Sequence, residues 1–295
     1  MTHSQSSPLR VPIDDGTDAL TGLRVGSGPT ALLLHGGPAL DSDQIYAPLA
    51  EELSRDFAVV RYSQRGVPPS VESPPLTVAQ HVRDAITVLD YLEVSRAWLI
   101  GHSFGGYLCL EIANAHPDRV AGIISICGVG AIGDGGMSSM DSRSIRQLRW
   151  VDKLRLTITH WRHRLSRRTD RRNALWLAMS DIIQHSYFAD PAKMLEVTDT
   201  RFSESAFDAT VASFEERASS GALERVLPSI TIPTLFVSGD SDPLRLSESG
   251  EPTAARMPNA ALATVPHAGH LPWIEQPGSV ASAVRSWRTS GSPAT

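Results

Sequence analysis

Residues 97–110 read AWLIGHSFGGYLCL, and this stretch decides the fold. Its first four residues are an apolar run that stops at Gly101, which is typical of a buried strand. A sharp turn follows at Gly101–Gly106, and a helix is predicted from there to about Ala115, before Pro117. The stretch therefore predicts a strand, a tight turn and a helix in immediate succession.

The same alternation of strands and helices recurs on both sides of this stretch. Strands are predicted at Ala31–Leu34, Phe57–Val60, Ala97–Ile100, Val120–Ile126, Ile232–Val237 and Ala261–Val265. Further helices are predicted at about Asp43–Arg55, Val78–Leu92 and Ser279–Trp287. This alternation predicts an α/β fold with a mostly parallel central sheet covered by helices on both faces.

Residues 133–227 interrupt the alternation, because they contain helical periodicity and polar loops but no convincing buried strand. We predict an α/β core at 8–132 and 228–289, with 133–227 as an inserted helical lid. The small polar residues at 1–7 and 290–295 predict frayed ends.

The turn contains a candidate nucleophile. Gly101-His102-Ser103-Phe104-Gly105 has the pattern G-x-S-x-G between a strand and a helix, where a serine takes strained backbone angles. Small residues are needed two positions on either side, and both are glycine. The amide of Phe104, at the start of the helix, faces the place where negative charge develops on an attacked carbonyl.

A serine nucleophile needs a histidine base and a carboxylate that orients the histidine. The loop after the last predicted strand offers His267 and His270, and we favour His270 because it lies farther into the loop. The loop after the preceding strand offers Asp240 and Asp242, and we favour Asp242 for the same reason. The other aspartate would then brace its own loop, as aspartates at turns commonly do.

These motifs together resemble the α/β-hydrolase superfamily, whose triad has the chain order serine, acid, histidine. The resemblance covers nearly the whole chain except the predicted lid. It implies an α/β-hydrolase fold and a triad of Ser103, Asp242 and His270. It also implies that Gly37, in the His-Gly-Gly-Pro turn at 35–38, supplies the second oxyanion-hole amide beside that of Phe104.

Within the superfamily, His-Gly-Gly-Pro at 35–38 and Tyr-Ser-Gln-Arg-Gly at 62–66 are similar to the prolyl aminopeptidase group of serine peptidases. The similarity is partial, since Ala39, Ser63 and Phe104 stand where that group has glycine, aspartate and tryptophan. We predict that Arg65 braces neighbouring loops and takes no part in catalysis.

The start of the predicted lid is strongly basic. Residues 141–172 contain eleven Lys or Arg and three Asp, which leaves 16 of the 27 basic and 29 of the 32 acidic residues for the rest of the chain. One interpretation is a solvated face that pairs with the acidic core. The other is that this region recruits an anionic substrate or an acyl carrier. Apolar residues are interleaved with the arginines, and we expect their face to lie over the mouth of the active site.

The sequence thus predicts a serine hydrolase that cleaves an ester, thioester, lactone or amide of a small hydrophobic substrate. Aromatic residues of the lid are candidates for the substrate pocket: Trp150, Trp161, Trp176, Tyr187 and Phe188. A prolyl aminopeptidase, or a lyase, cyclase or acyltransferase on the same fold, remains an alternative.

Composition argues against several other classes. A net charge of −5 without a recognition motif gives no reason to expect a nucleic acid partner. No apolar run reaches the length of a membrane span, so we expect no membrane partner and a cytoplasmic protein. Cys109 and Cys127 lie in apolar surroundings and are predicted to be buried thiols, with no disulfide, no metal site and no cofactor.

Overall fold

The computed structural model describes residues 6–13, 16 and 18–290, and its centre is an eight-stranded sheet. The ten strands of this region are, in chain order, β1 (Ser7–Ile13), β2 (Asp18–Val25), β3 (Thr30–Leu34), β4 (Leu40–Asp41), β5 (Ala58–Tyr62), β6 (Ala97–His102), β7 (Val120–Ile126), β8 (Arg201–Phe202), β9 (Thr234–Gly239) and β10 (Ala260–Val265). Eight of them form the sheet in the order β1-β2-β5-β3-β6-β7-β9-β10, while β4 and β8 pair separately.

All pairs from β5 to β10 across this sheet are parallel, so the predicted α/β sheet is confirmed. The sequence missed β1 and β2, which add an antiparallel edge. Pro8 and Pro12 interrupt the apolar pattern of β1, and proline is tolerated on an edge strand because its missing N–H costs no ladder hydrogen bond there. The antiparallel edge is therefore a feature that the alternation of apolar runs could not indicate.

Helices cover both faces of the sheet. The α-helices are α1 (Asp43–Leu53), α2 (Val78–Tyr91), α3 (Phe104–Ala115), α4 (Met137–Gln147), α5 (Trp150–Leu165), α6 (Thr169–Gln184), α7 (Glu204–Ser220), α8 (Ala222–Val226), α9 (Gly250–Ala254), α10 (Pro272–Glu275) and α11 (Ser279–Thr289). Strand β3 shows the two-sided burial: Leu32 and Leu34 pack in the apolar cluster with α2 and α3, whereas Ala31 and Leu33 pack in the cluster with α1 and α11. Alternate side chains of a strand point to opposite faces, so both faces need apolar residues.

The segment 133–227 contains α4 to α8 and one short strand, β8. This two-residue strand pairs with β4, which directly follows the His-Gly-Gly-Pro turn. The pairing carries a buried charge network, in which Arg201 donates to Asp41 at 2.9 Å. A two-residue strand has too few apolar residues to be visible in the sequence.

Most predicted elements agree with the observed bounds to within two or three residues. At the ends, the predicted fraying falls largely on 1–5 and 291–295, which lie outside the described residues, while Ser7 belongs to β1. Among the residues described, no helix is both long and apolar enough to cross a bilayer.

His81 in α2 makes stability depend on pH. It is 3% exposed, and burial lowers its pKa to about 4. Because the unfolded chain binds a proton near pH 6.5 and the folded chain does not, stability is complete above about pH 6.5 and falls as the pH drops toward 4. We expect this histidine alone to cost about 3 kcal/mol of unfolding free energy at pH 4.

Urea unfolding between pH 4 and 7 measures this loss. We expect His81→Gln to flatten the pH dependence, and His160→Gln, at an exposed position of α5, to leave it unchanged. Equal slopes for the wild type and His81→Gln would show that His81 is not buried in its neutral form.

Candidate active site

Ser103 occupies the tight turn between β6 and α3, with φ 52° and ψ −119°. Its backbone makes three hydrogen bonds: its N–H donates to the Ile126 carbonyl at 3.1 Å, and its carbonyl accepts the N–H groups of Gly106 and Val129, both at 2.9 Å. A Cβ added at Gly101 would lie 2.2 Å from the carbonyl oxygen of Gly105. The steric need for glycine around the turn is therefore confirmed.

His270 and Asp242 lie together at the carboxyl end of the sheet. Nδ1 of His270 is 2.9 Å from Oδ1 of Asp242, and both residues are 3% exposed. The same oxygen accepts the Leu244 N–H at 2.8 Å, which fixes the carboxylate in its loop. A buried carboxylate at Nδ1 selects the imidazole tautomer whose Nε2 accepts a proton.

The two alternative residues of these loops lie elsewhere. Asp240 is exposed and accepts the His267 N–H at 3.0 Å, so it joins the two loops by a backbone contact. Ser241 donates to its other oxygen at 3.0 Å. Asp240 thus has the bracing position that the sequence suggested, and His267 is exposed beside it.

A buried hydrogen-bonded chain connects the glycine turn to the His270 loop. The Gly36 N–H donates to the Tyr46 hydroxyl at 2.7 Å, and that hydroxyl lies 2.9 Å from Nδ1 of His102. Nε2 of His102 lies 3.0 Å from the carbonyl oxygen of His270. Burial, followed by the neighbouring His270, lowers the pKa of His102 well below its usual value. His102 is therefore neutral, and its Nε2 donates to the carbonyl.

The sequence did not identify Tyr46 or His102 as site residues. Tyr46 is one of several buried side chains of α1, and its partner is 56 positions away in the chain. No local pattern marks such a contact, although a buried hydroxyl is expected to find a polar partner.

The Phe104 amide and the turn that contains Gly37 lie next to Ser103. Phe104 is the first residue of α3, where backbone N–H groups have no partner within the helix. Gly36 lies directly against the nucleophile turn, because a Cβ added there would approach the Ser103 Cβ to 2.7 Å. Gly37 has φ 61°, a left-handed value that favours glycine. The structure thus brings the 35–38 turn and the start of α3 to the same serine.

Cys127 adds a thiol to the buried acid–base pair. Its sulfur, the Asp242 carboxylate and the His270 imidazole offer atoms within 4.8 Å of one another, a grouping that could hold a metal ion. However, the carboxylate and the imidazole are already bonded to each other, and burial raises the thiol pKa well above its usual value. In this arrangement Asp242 and His270 serve each other as hydrogen-bond partners, and Cys127 is a protonated, buried thiol beside them. Cys109 is likewise a buried free thiol.

The predicted substrate aromatics separate into three groups. Tyr187 lies at the site: its ring centroid is 5.1 Å from that of His270, and its carbonyl accepts the His270 N–H at 2.6 Å. Phe188 is buried beside it. Trp176 stacks on Phe202 of β8 at 3.9 Å.

Trp150 and Trp161 form the third group, and they are 76% and 62% exposed. The apolar face of α5 that carries them is turned to solvent, so the expectation that this face covers the mouth of the site is not met. The face of α5 that packs on the protein is the one with the buried His163, whose Nε2 lies 2.6 Å from Oε1 of Glu204.

Arg65 lies in the loop that follows β5 and is 2% exposed. Its Nε and a terminal nitrogen donate to the two oxygens of Asp84 in α2, at 2.8 and 2.9 Å. It also donates to the Ser73 carbonyl at 3.3 Å. These bonds give Arg65 the bracing role that the sequence predicted.

The profile of the Alpha/beta hydrolase family matches residues 31–283, from β3 into α11. The chain belongs to the alpha/beta hydrolase family. The predicted superfamily and fold are thereby confirmed, and the Ser103 turn occupies the position in this alpha/beta hydrolase where the family motif requires it.

Individual relatives of this alpha/beta hydrolase are named for different activities. "Putative carbamate hydrolase RutD" of Caulobacter vibrioides is 34% identical over 109 residues, which are 32% of this chain and 40% of that protein. "Probable aminopeptidase YbaC" of Bacillus subtilis is 32% identical over 98 residues, 30% of this chain and 31% of that protein. The matches thus span well under half the length of these curated relatives.

Solved structures cover the whole chain. A thermophilic esterase from Thermogutta terrifontis superposes with a TM-score of 0.65 over 98% of this chain and 100% of its own, at 24% identity. At this identity the likeness establishes the fold alone.

Proposed function

We propose that the chain is a serine hydrolase that forms an acyl-enzyme on Ser103. One observation carries the proposal. The buried carboxylate of Asp242 is hydrogen-bonded to Nδ1 of His270 at 2.9 Å, at the carboxyl end of the sheet, where Ser103 occupies its strained turn. The proposed substrate is a small hydrophobic ester, thioester, lactone or amide. Tyr187 and Phe188 support the apolar character, since both lie beside the His270 loop.

The proposed cycle has two halves. Ser103 Oγ attacks the carbonyl carbon while His270 Nε2 takes its proton, and the amides of Gly37 and Phe104 stabilise the oxyanion. His270 then gives the proton to the leaving group and the acyl-enzyme forms. Water attacks the acyl group while His270 takes its proton, and His270 then returns this proton to Ser103 Oγ as the acid is released. Asp242 stays ionised throughout and stabilises the imidazolium.

Two features favour ester-type over aminopeptidase chemistry. Ser63 stands at the position where the prolyl aminopeptidase group has aspartate. Its hydroxyl is neutral and donates to Asp41 at 2.6 Å, so it offers no negative charge to a substrate amine. Ala39 and Phe104 also depart from that group's motifs. We propose that the helical segment 133–227 acts as a lid that selects the substrate.

A serine-directed fluorophosphonate and a pair of substrates test the proposal. We expect the wild type to gain the mass of one phosphonyl group and to hydrolyse a p-nitrophenyl ester but not a prolyl arylamide. Ser103→Ala should gain no mass and supplies the blank for background hydrolysis.

Other outcomes point to specific alternatives. Turnover of the arylamide by the wild type alone would indicate the aminopeptidase. Phosphonylation of Ser103 without hydrolysis of either substrate would indicate a lyase, cyclase or acyltransferase. An unlabelled wild type would contradict the serine nucleophile.

A further inference from the structure

An apolar stripe runs along the solvent side of α5. Its members are large, recur at intervals of four, four, three and four residues, and are each at least 50% exposed: Trp150, Leu154, Ile158, Trp161 and Leu165. This spacing places them on one face of the helix. A contiguous exposed apolar surface of this kind is unusual for a monomeric soluble protein and indicates an interaction site. We call these five residues the α5 stripe.

Contacts on the opposite face of α5 keep the stripe exposed to solvent. His163 on the opposite face of α5 is buried against Glu204 of α7, and Arg172 of α6 donates to the same carboxylate at 2.5 and 2.7 Å. Turning the stripe inward would break this buried cluster. The exposure is therefore a consequence of how α5, α6 and α7 pack.

Cations border the stripe on both sides. At about 100° per residue, the five apolar side chains fall within about 80° of the helix circumference. Lys153 and Arg164 follow on one side, and Arg155 and Arg162 on the other, each about 40–60° away. All four are exposed. Among the described residues, Arg162 and Arg164 form no ion pair, so their charge is available to an external anion.

We propose that α5 lies on the surface of an anionic lipid bilayer, with the stripe inserted and the flanking Lys and Arg at the level of the headgroups. Tryptophan and leucine on one face with cations beside them is the composition of helices that bind in the interfacial plane. The long basic side chains reach the phosphates while their aliphatic parts cover apolar surface. The 16-residue helix offers about 24 Å of such contact.

Two other occupants fit the same surface less well. In a symmetric dimer, the same patch of each copy meets the other, which would bring the flanking cations of one α5 against those of its partner. An acidic protein would satisfy the arginines but gives no reason for five large exposed apolar side chains. An anionic bilayer accommodates both features. The sequence suggested no membrane partner because no apolar run reaches the length of a membrane span, but a helix that lies in the interfacial plane needs no such run.

Co-flotation of the full chain with vesicles tests the proposal. The vesicles are phosphatidylcholine alone, or a mixture in which about one lipid in three is phosphatidylglycerol. We expect binding to the anionic vesicles, a blue shift of tryptophan emission on binding, and weaker binding as salt is raised. Leu154→Glu should weaken partitioning at least about tenfold, because it removes an apolar group and adds a negative charge to the insertion face.

Leu262→Glu is the matched control, because Leu262 of β10 is 45% exposed and Leu154 is 52% exposed. It should bind like the wild type, and both variants should keep the wild-type unfolding midpoint. Failure of the wild type to bind anionic vesicles would overturn the proposal. Equal binding by the two variants would also overturn it. The same holds if the protein forms a dimer that Leu154→Glu dissociates, or if it binds a soluble acidic carrier protein and not the vesicles.

Discussion

Asp242→Asn is expected to lower kcat for ester hydrolysis by about ten-thousand-fold, and Asp240→Asn to change it by less than about threefold. The two carboxylates are two positions apart in one loop, so they form a matched pair. The 2.9 Å contact of Asp242 with His270 Nδ1 sets the tautomer that accepts the serine proton. An asparagine amide can donate to Nδ1 and would stabilise the tautomer with its proton on Nε2, which cannot act as the base.

Asp240 differs because its contacts are exposed. It accepts the His267 N–H and the Ser241 hydroxyl, and an asparagine side-chain oxygen retains one of these bonds. Steady-state kinetics of both variants, with urea unfolding as the check on folding, measure the contrast. Equal losses of kcat in the two variants would contradict the assignment of Asp242, and a larger loss in Asp240→Asn would transfer the role to Asp240.

Arg65→Ala is expected to lower the free energy of unfolding by about 3–5 kcal/mol. Arg65 and Asp84 form a two-bond ion pair in which both side chains are 2% exposed. Removing the guanidinium leaves the Asp84 carboxylate buried and without its countercharge, which is the costly step. Gln80 still donates to this carboxylate at 2.8 Å, but a neutral donor replaces only part of the ion pair.

Two controls separate this effect from loss of a surface charge. Arg155→Ala breaks an ion pair with Asp152 in which the arginine is 65% exposed, and should cost no more than about 0.5 kcal/mol. The double variant Arg65→Leu with Asp84→Leu should be less destabilised than Arg65→Ala, since no buried charge remains. If the double variant loses as much stability as Arg65→Leu and Asp84→Leu lose together, packing and not charge explains the loss. Urea unfolding at neutral pH measures the wild type and all five variants, namely Arg65→Ala, Arg155→Ala, Arg65→Leu, Asp84→Leu and the double variant.

Much of the fold was predictable because its signals are local. The parallel strands are continuous apolar runs, since a strand buried on both faces has no polar side to show. The antiparallel strands β1 and β2 and the short strand β8 were not predicted, because they lack such continuous apolar runs. They contain proline or half-exposed residues, or are only two residues long, and β2 and β8 pair with strands that are distant in sequence, β5 and β4.

The candidate site was predictable in outline and not in its supporting contacts. Serine, aspartate and histidine loops each follow a predicted strand, and the ends of parallel strands meet at one edge of the sheet. Tyr46 and His102, which connect the glycine turn to the His270 loop, have no such signal. Hydrogen bonds between residues far apart in sequence depend on the packed structure alone.

The sequence by itself determined the α/β fold and the turn at Ser103, because apolar strand runs and the glycine at 101, whose added Cβ would meet the Gly105 carbonyl oxygen, act through neighbouring residues. The tertiary structure decided which aspartate contacts His270 and which way α5 faces. Asp242 and Asp240 are chemically identical, and only the packing of their loop buries one against the imidazole. The α5 stripe faces solvent because Glu204 contacts His163 on the opposite side of the helix, and these two residues are 41 positions apart in the chain.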